Sequence, residues 1–164
     1  MTGVPGAFAG LVAAAEAIRA KAADRDARIG SAELAGIGWA TVELERAARE
    51  LGAELGIDPG AWVPATRDAL LGARAWSALG PADAGPAIVL LEPDTEGRLA
   101  ATLVRFAEGV AAVYLRAPVV EASAPVLAST EVPATAVAAS ALGPARMVPG
   151  PAWGPHALLL EPPQ

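Results

Sequence analysis

The chain has no cysteine and a single histidine, His156. The first absence removes disulfides, thiol nucleophiles and thiolate metal sites. The second leaves one imidazole to serve as a near-neutral acid, base or ligand. A cysteine-free chain suits a reducing compartment, and a cytoplasmic location is the expectation. Aromatic residues make up only 4% of the 164 residues, although 54% are apolar. The core must therefore be built from small and aliphatic side chains. Lys and Arg are outnumbered 12 to 18 by Asp and Glu, giving a net charge of −6. With no dense basic face, phosphate-backbone binding is disfavoured as the main activity, and no nucleic-acid partner is expected. No uncharged apolar run reaches the roughly 18 residues of a membrane span, and Met1–Gly10 lacks the basic region of a secretory signal. No membrane partner is expected either. Gly36-Ile37-Gly38 lacks the third glycine of a dinucleotide loop, and no Ser-centred nucleophile elbow is present.

The length suits one domain, or two small modules sharing a core. Residues 7–28 have helical spacing, with Phe8, Leu11, Val12, Ala15 and Ile18 on one face. Such a helix either packs on its own domain or serves as a partner or dimer helix. Residues 36–42 (GIGWATV) alternate as a strand, with Ile37, Trp39 and Thr41 on one face and Gly36, Gly38 and Ala40 on the other. A helix follows, with Leu44, Ala47, Leu51 and Leu55 as its buried stripe and Gly56 and Asp58-Pro59-Gly60 as its stop. Residues 69–77 and 86–92 predict strands, and residues 96–106 predict a helix capped by Gly109. Residues 110–115 predict another strand. Residues 118–133 are Pro-interrupted and fit a short or broken helix followed by a loop. Strands are expected again at 135–139, 146–148 and 156–161.

The chain also repeats itself. Residues 85–93 read GPAIVLLEP and residues 154–162 read GPHALLLEP, six of nine identical at an offset of 69. Upstream, Leu71-Gly72-Ala73-Arg74 matches Leu142-Gly143-Pro144-Ala145-Arg146, and each half opens on a small-residue strand. Two copies of one strand-helix-strands unit are implied. The fold class expected is α+β: two tandem βαβββ modules forming a curved incomplete barrel, with an extra N-terminal helix. The boundaries are 1–32 for the helix, 33–106 for the first module and 107–164 for the second, within one globular domain.

At IVLLEPDTEGRLAATLVRFAEGVAAVYLRAP, residues 88–118, the chain resembles the vicinal oxygen chelate superfamily, in its glyoxalase, methylmalonyl-CoA epimerase and bleomycin-resistance-like branches. GIGWATVELERA (36–47) resembles the family's opening strand and helix, and GPHALLLEP its closing strand. The resemblance implies a cleft inside the curved sheet, a homodimer, and one divalent ion acting as a Lewis acid. The ligand positions it implies fall on Gly36, Val89, Ala111 or Ala112, and Leu158. None of these side chains offers a lone pair to a cation. The expectation is a divergent member with no metal and no cofactor.

Strand alternation then places Gly36, Gly38, Val89, Leu91, Ala112, Tyr114, His156 and Leu158 toward the cleft. Such a lining is apolar and roomy, suited to a hydrophobic or aromatic small molecule. Trp153, in a Gly-Pro loop, is the ligand candidate among four tryptophans; Trp39 suits the core. His156, with Tyr114 or Arg116, is the candidate for metal-free acid–base catalysis. Arg74 and Arg146, at matching places in the two halves, either bind an anion or pair with surface acids. Glu92 and Glu161 are turn or helix-end groups. Three functions are compatible: a metal-free small-molecule binder, a metal-independent isomerase, cyclase or lyase of a hydrophobic substrate, and a non-catalytic interaction protein whose cleft is closed by its own side chains.

Overall fold

The computed structural model describes residues 5–80, 85–118 and 136–162. The chain opens with helix α1 (Pro5–Ala23), followed by a short 3-10 turn. The first module is β1 (Glu33–Ala40), α2 (Leu44–Leu55), β2 (Val63–Asp68), β3 (Ala73–Ala78) and β4 (Ala87–Pro93). Helix α3 (Arg98–Phe106) links it to the second, which shows β5 (Gly109–Arg116), β6 (Ala138–Ser140), β7 (Gly143–Met147) and β8 (His156–Leu160). The segment expected as a short or broken helix lies almost wholly outside the described residues.

All eight strands join one sheet in the order β2-β3-β4-β1-β5-β8-β7-β6. The central pair, β1 and β5, is antiparallel, and each is flanked by a parallel partner, β4 and β8. Read outward from the centre, the halves are the same unit related by a pseudo-twofold axis. The sheet curls until its edges meet. At the seam, the Ala69 N–H donates to the Ala139 carbonyl at 2.9 Å. The result is a nearly closed barrel with one seam.

The expected repeat is visible in the turns and ion pairs. Gly72 and Gly143 both open the third strand of their module with positive φ, 69° and 124°. Leu71 and Leu142, just before them, both pack on the barrel interior. Arg74 pairs with Glu92, and Arg146 Nε donates to Glu161 Oε1 at 2.5 Å. Of the two roles open to these arginines, pairing with acids is the one observed. Glu92 also accepts from the Leu44 N–H at 3.0 Å, so it closes the start of α2.

Strand alternation sorts the apolar residues into two cores. On the outer face, Ile37, Ile88, Leu90, Val113, Leu115 and Ala157 lie beneath α1 and α2. On the inner face, Val89, Leu91, Ala112, Tyr114, Leu158 and Leu160 fill the barrel. α2 packs on β4, through the stripe that its spacing predicts. α1 packs on β5, β1 and β8. It covers the second module where α2 covers the first, with Leu11, Ala15 and Ala22 buried. The helix thus packs on its own domain.

Several boundaries differ from expectation: β1 spans Glu33–Ala40 instead of 36–42, and β7 spans Gly143–Met147 instead of 146–148. α1 stops at Ala23 instead of 28, because Asp26 turns its carboxylate to the Arg28 N–H at 3.0 Å and caps the 3-10 turn. Residues 69–72 form a turn, and the strand before it, β2, has no counterpart in the sequence reading. Its residues are mostly exposed and include Pro64, as befits an edge strand at a seam. Gly109 does not cap α3. Ala107 does so with φ 61°, donating its N–H to the Leu103 carbonyl at 2.9 Å, and Gly109 begins β5.

Candidate functional site

The pairing registers bring seven of the eight strand positions expected to line a cleft into two adjacent rows. One row runs Val89, Gly38, Ala112, His156 across β4, β1, β5 and β8; the next runs Ala87, Gly36, Tyr114, Leu158. Of the eight, Val89, Leu91, Ala112, Tyr114 and Leu158 belong to the inner core. The space expected from the sequence is occupied. A Cβ on Gly36 would collide with Leu142 Cδ1 and stand 3.3 Å from the Tyr114 ring; one on Gly38 would stand 2.9 Å from Leu91 Cδ1 and 3.0 Å from Ala112 Cβ. Val89, Leu91, Ala112, Tyr114 and Leu158 have no exposed surface. The glycines make room for neighbouring leucines and for Tyr114, and the roomy cleft expected from them is a packed core.

One residue overlooked in the sequence organises that core. Asp68, at the end of β2, is fully buried. Its carboxylate accepts from Tyr114 OH at 2.7 Å, from the Leu71 N–H at 3.0 Å and from the Ala141 N–H at 3.4 Å. It ties β5, the β2–β3 turn and the β6–β7 turn together across the seam. Burial raises its pKa, against the lowering effect of those donors. Burial, then the facing carboxylate, pushes the Tyr114 phenol well above its usual value. The tyrosine's shift holds the proton on the phenol, which donates to Asp68. The sequence held one faint signal, an acid immediately before a turn, and Asx residues in turns are too common to single it out.

α3 lies across the end of the barrel where β1 and β4 finish and β5 and β8 begin. Leu99 and Leu103 face the interior, and the Leu99 N–H reaches the Leu71 carbonyl at 3.2 Å. On its other side, Thr102 Oγ1 stands 2.8 Å from the Trp153 carbonyl, 2.9 Å from the Arg98 carbonyl and 3.3 Å from His156 Nε2. His156 is buried, 4% exposed. Burial first, then the positive charge of Arg98, lowers its pKa to about 4. At neutral pH it is an uncharged imidazole.

The candidate catalytic trio is not assembled. Along β5, Ala112 sits beside His156, Tyr114 beside Leu158 and Arg116 beside Leu160. Arg116 is thus four residues, or ~13 Å, along the strand from the histidine, and it is exposed. Tyr114 is turned to Asp68.

Outside the barrel, at the same end, a cavity of about 530 Å³ opens between the second half of α1, the ends of α3 and the β7–β8 loop. Its floor is apolar and buried: Ala22, Met147, Val148 and Ala157, with His156 beside them and half-buried Ile18 above. Its mouth carries Lys21, Arg25 and Arg98, all exposed. Of the residues expected to bind a ligand, His156 alone lines this cavity. Trp153 is nearby, 44% exposed, with Arg105 stacked 4.6 Å over its ring. The sequence could not announce this site, because it joins three segments that are distant along the chain, two of them loop or helix ends.

The eight described strands, in two similarly ordered halves closing one barrel, are the fold shared with solved structures of methylmalonyl-CoA epimerases. The chain is similar to methylmalonyl-CoA epimerase from Mycobacterium tuberculosis: 17% identity, 79% of this chain and 89% of that one, TM-score 0.58. It is similar to a single-substitution variant of Streptomyces coelicolor methylmalonyl-CoA epimerase, solved with 2-nitronate-propionyl-CoA, at 16% identity, 77% and 94% coverage and TM-score 0.57. A hypothetical protein from Bacillus halodurans C-125 is similar at 14% identity, 82% and 98% coverage and TM-score 0.51. At these identities the likeness is one of fold. No family model matches the chain, and no curated protein matches it.

The divalent ion that the fold class implies does not fit the residues present. Gly36, Val89, Ala111 or Ala112, and Leu158 offer no donor atoms, and all lie in packed surroundings. Among the described residues, no cluster of three or more His, Asp or Glu side chains is placed to hold an ion elsewhere. No described helix is long and apolar enough to cross a membrane.

Proposed function

We propose that this glyoxalase-like-fold chain is a metal-free small-molecule binding protein. Its ligand, an apolar or aromatic molecule, sits in the cavity between α1, α3 and the β7–β8 loop, outside the barrel. The observation that carries this reading is the filling of the barrel at Gly36 and Gly38 by Leu142, Tyr114 and Leu91. Where the fold class places chemistry, this chain places hydrophobic core. The remaining concave, apolar volume is large enough for a small ligand. The scattered positions of His156, Tyr114 and Arg116 speak against a metal-independent enzyme. A filled barrel also suits an interaction protein, but that reading leaves the cavity without a role.

The test is a fluorescence titration of chelator-treated protein with Nile red, a neutral apolar dye. Saturable one-site binding is expected. Ile18→Trp, which fills the cavity from a half-buried position, should weaken it at least tenfold without changing the melting profile. Phe106→Ala, at an exposed wall residue, should weaken it several-fold and serves if Ile18→Trp misfolds. Binding that needs a divalent ion restored, or no saturable binding, would overturn the proposal.

A further inference from the structure

Most arginines of this acidic chain are neutralised locally. Arg19, Arg28, Arg46, Arg67, Arg74 and Arg146 each pair with a carboxylate. Arg49, Arg105 and Arg116 have no carboxylate partner among the described residues but do not line the cavity; Lys21, Arg25 and Arg98 do. Among the described residues none of the latter three has a carboxylate partner, and no carboxylate lines the cavity. In a chain of net charge −6, three unneutralised cations at one opening are not what uniform scatter gives. Two of the charged heads are placed there by independent observations. Arg25 Nη1 lies 3.1 Å from where a Gly150 Cβ would stand, against the β7–β8 loop. Arg98, at the start of α3, neighbours His156: Thr102 Oγ1 reaches both the Arg98 carbonyl, at 2.9 Å, and His156 Nε2, at 3.3 Å, and the Arg98 charge acts on the His156 ring.

The charge is at the mouth and the apolar surface is at the floor. Exposed Lys21, Arg25 and Arg98 keep their hydration when the site is empty, so holding them there costs little desolvation. Ala22, Met147, Val148 and Ala157 meanwhile present an apolar wall. His156 adds an uncharged ring to that wall at neutral pH.

Resting on the binding role proposed above, we infer that the ligand is an amphiphilic organic anion, an aryl or alkyl carboxylate class molecule. Its hydrocarbon end lies on the Ala22–Val148–Ala157 floor and its anionic end meets Arg25 and Arg98 at the mouth. Charge-assisted hydrogen bonds from guanidinium to carboxylate are the strong kind, and the two arginines approach from different walls.

The experiment displaces bound Nile red with two matched probes at pH 7, 2-naphthoate and 2-naphthamide, which share a ring system and differ in charge. The anion should bind at least tenfold more tightly than the amide. Raising the salt from about 50 to about 500 mM should weaken naphthoate several-fold and leave naphthamide nearly unchanged. Arg25→Gln and Arg98→Gln should each cut the naphthoate preference, and together bring the ratio to about one. Arg116→Gln, away from the cavity, should leave the ratio as it is. Equal affinities for the two probes, with Nile red still bound, would overturn the anion inference and spare the binding role. Absence of Nile red binding would remove the binding role and this inference with it.

Discussion

At the scale of single residues, His156 shows how placement sets chemistry. The sequence offers it as the one near-neutral acid or base. The fold buries it between Thr102 and the β7–β8 loop and lowers its pKa to about 4. A depressed histidine pKa means the unfolded chain binds a proton that the folded chain refuses. Stability therefore rises with pH between about 4 and 6.5, and falls as the medium is acidified through that window. The difference between pH 7 and pH 4.5 amounts to about 2 kcal/mol. In urea unfolding at those two pH values, His156→Asn should lose that component, so its acid sensitivity should be smaller than the wild type's by about this amount. An equal pH dependence in the two proteins would show that the ring is solvated and charged in the native state. Asp68 and Tyr114 show the converse gap in legibility. Tyr114 was readable as an inward residue from strand parity. Its partner Asp68 lies 46 positions away, on an edge strand whose polar, Pro-containing sequence has no clear alternation.

At the scale of elements, local rules sufficed where an element is apolar along its length or along one stripe and is bounded by strong stop signals. β4, β5, β8 and α2 were readable for that reason. β2 was not, because an edge strand exposed along most of its length carries no apolar period. α1 is the informative case. Its stripe was legible, while its address was not, since an apolar helix face names no partner. It covers β5 and β8 as α2 covers the first module. Ala15 is fully buried there and Ala14 is exposed. Ala15→Glu should destabilise the protein by about 3 kcal/mol or more in urea unfolding, because it buries an unpaired carboxylate. Ala14→Glu should change stability by no more than about 0.5 kcal/mol. Equal effects would mean that α1 is not part of the core.

At the scale of the whole molecule, the fold follows from the repeat. Two copies of one unit, closed across a β2–β6 seam, give the barrel, and the closing Leu-Glu-Pro strands mark its inner walls. The residue types at the ligand positions were equally legible, and Gly, Val, Ala and Leu there exclude metal ligation by side chains. What the sequence could not convey was whether small residues leave a void or admit larger neighbours. That depends on Leu142 from the β6–β7 turn and Leu91 from β4, whose reach is set by the curl of the sheet. The cavity beside the barrel was illegible for a related reason, since it exists only where α1, α3 and the β7–β8 loop meet.

The central claim is that the barrel interior is core and the ligand seat lies beside it. The most direct measurement is methyl NMR of the protein titrated with 2-naphthoate. Resonances of Ile18, Met147 and Val148 should move with saturation, while those of Val89, Leu91 and Leu158 stay in place. Shifts concentrated on Val89, Leu91 and Leu158 would place the ligand inside the barrel and contradict the account.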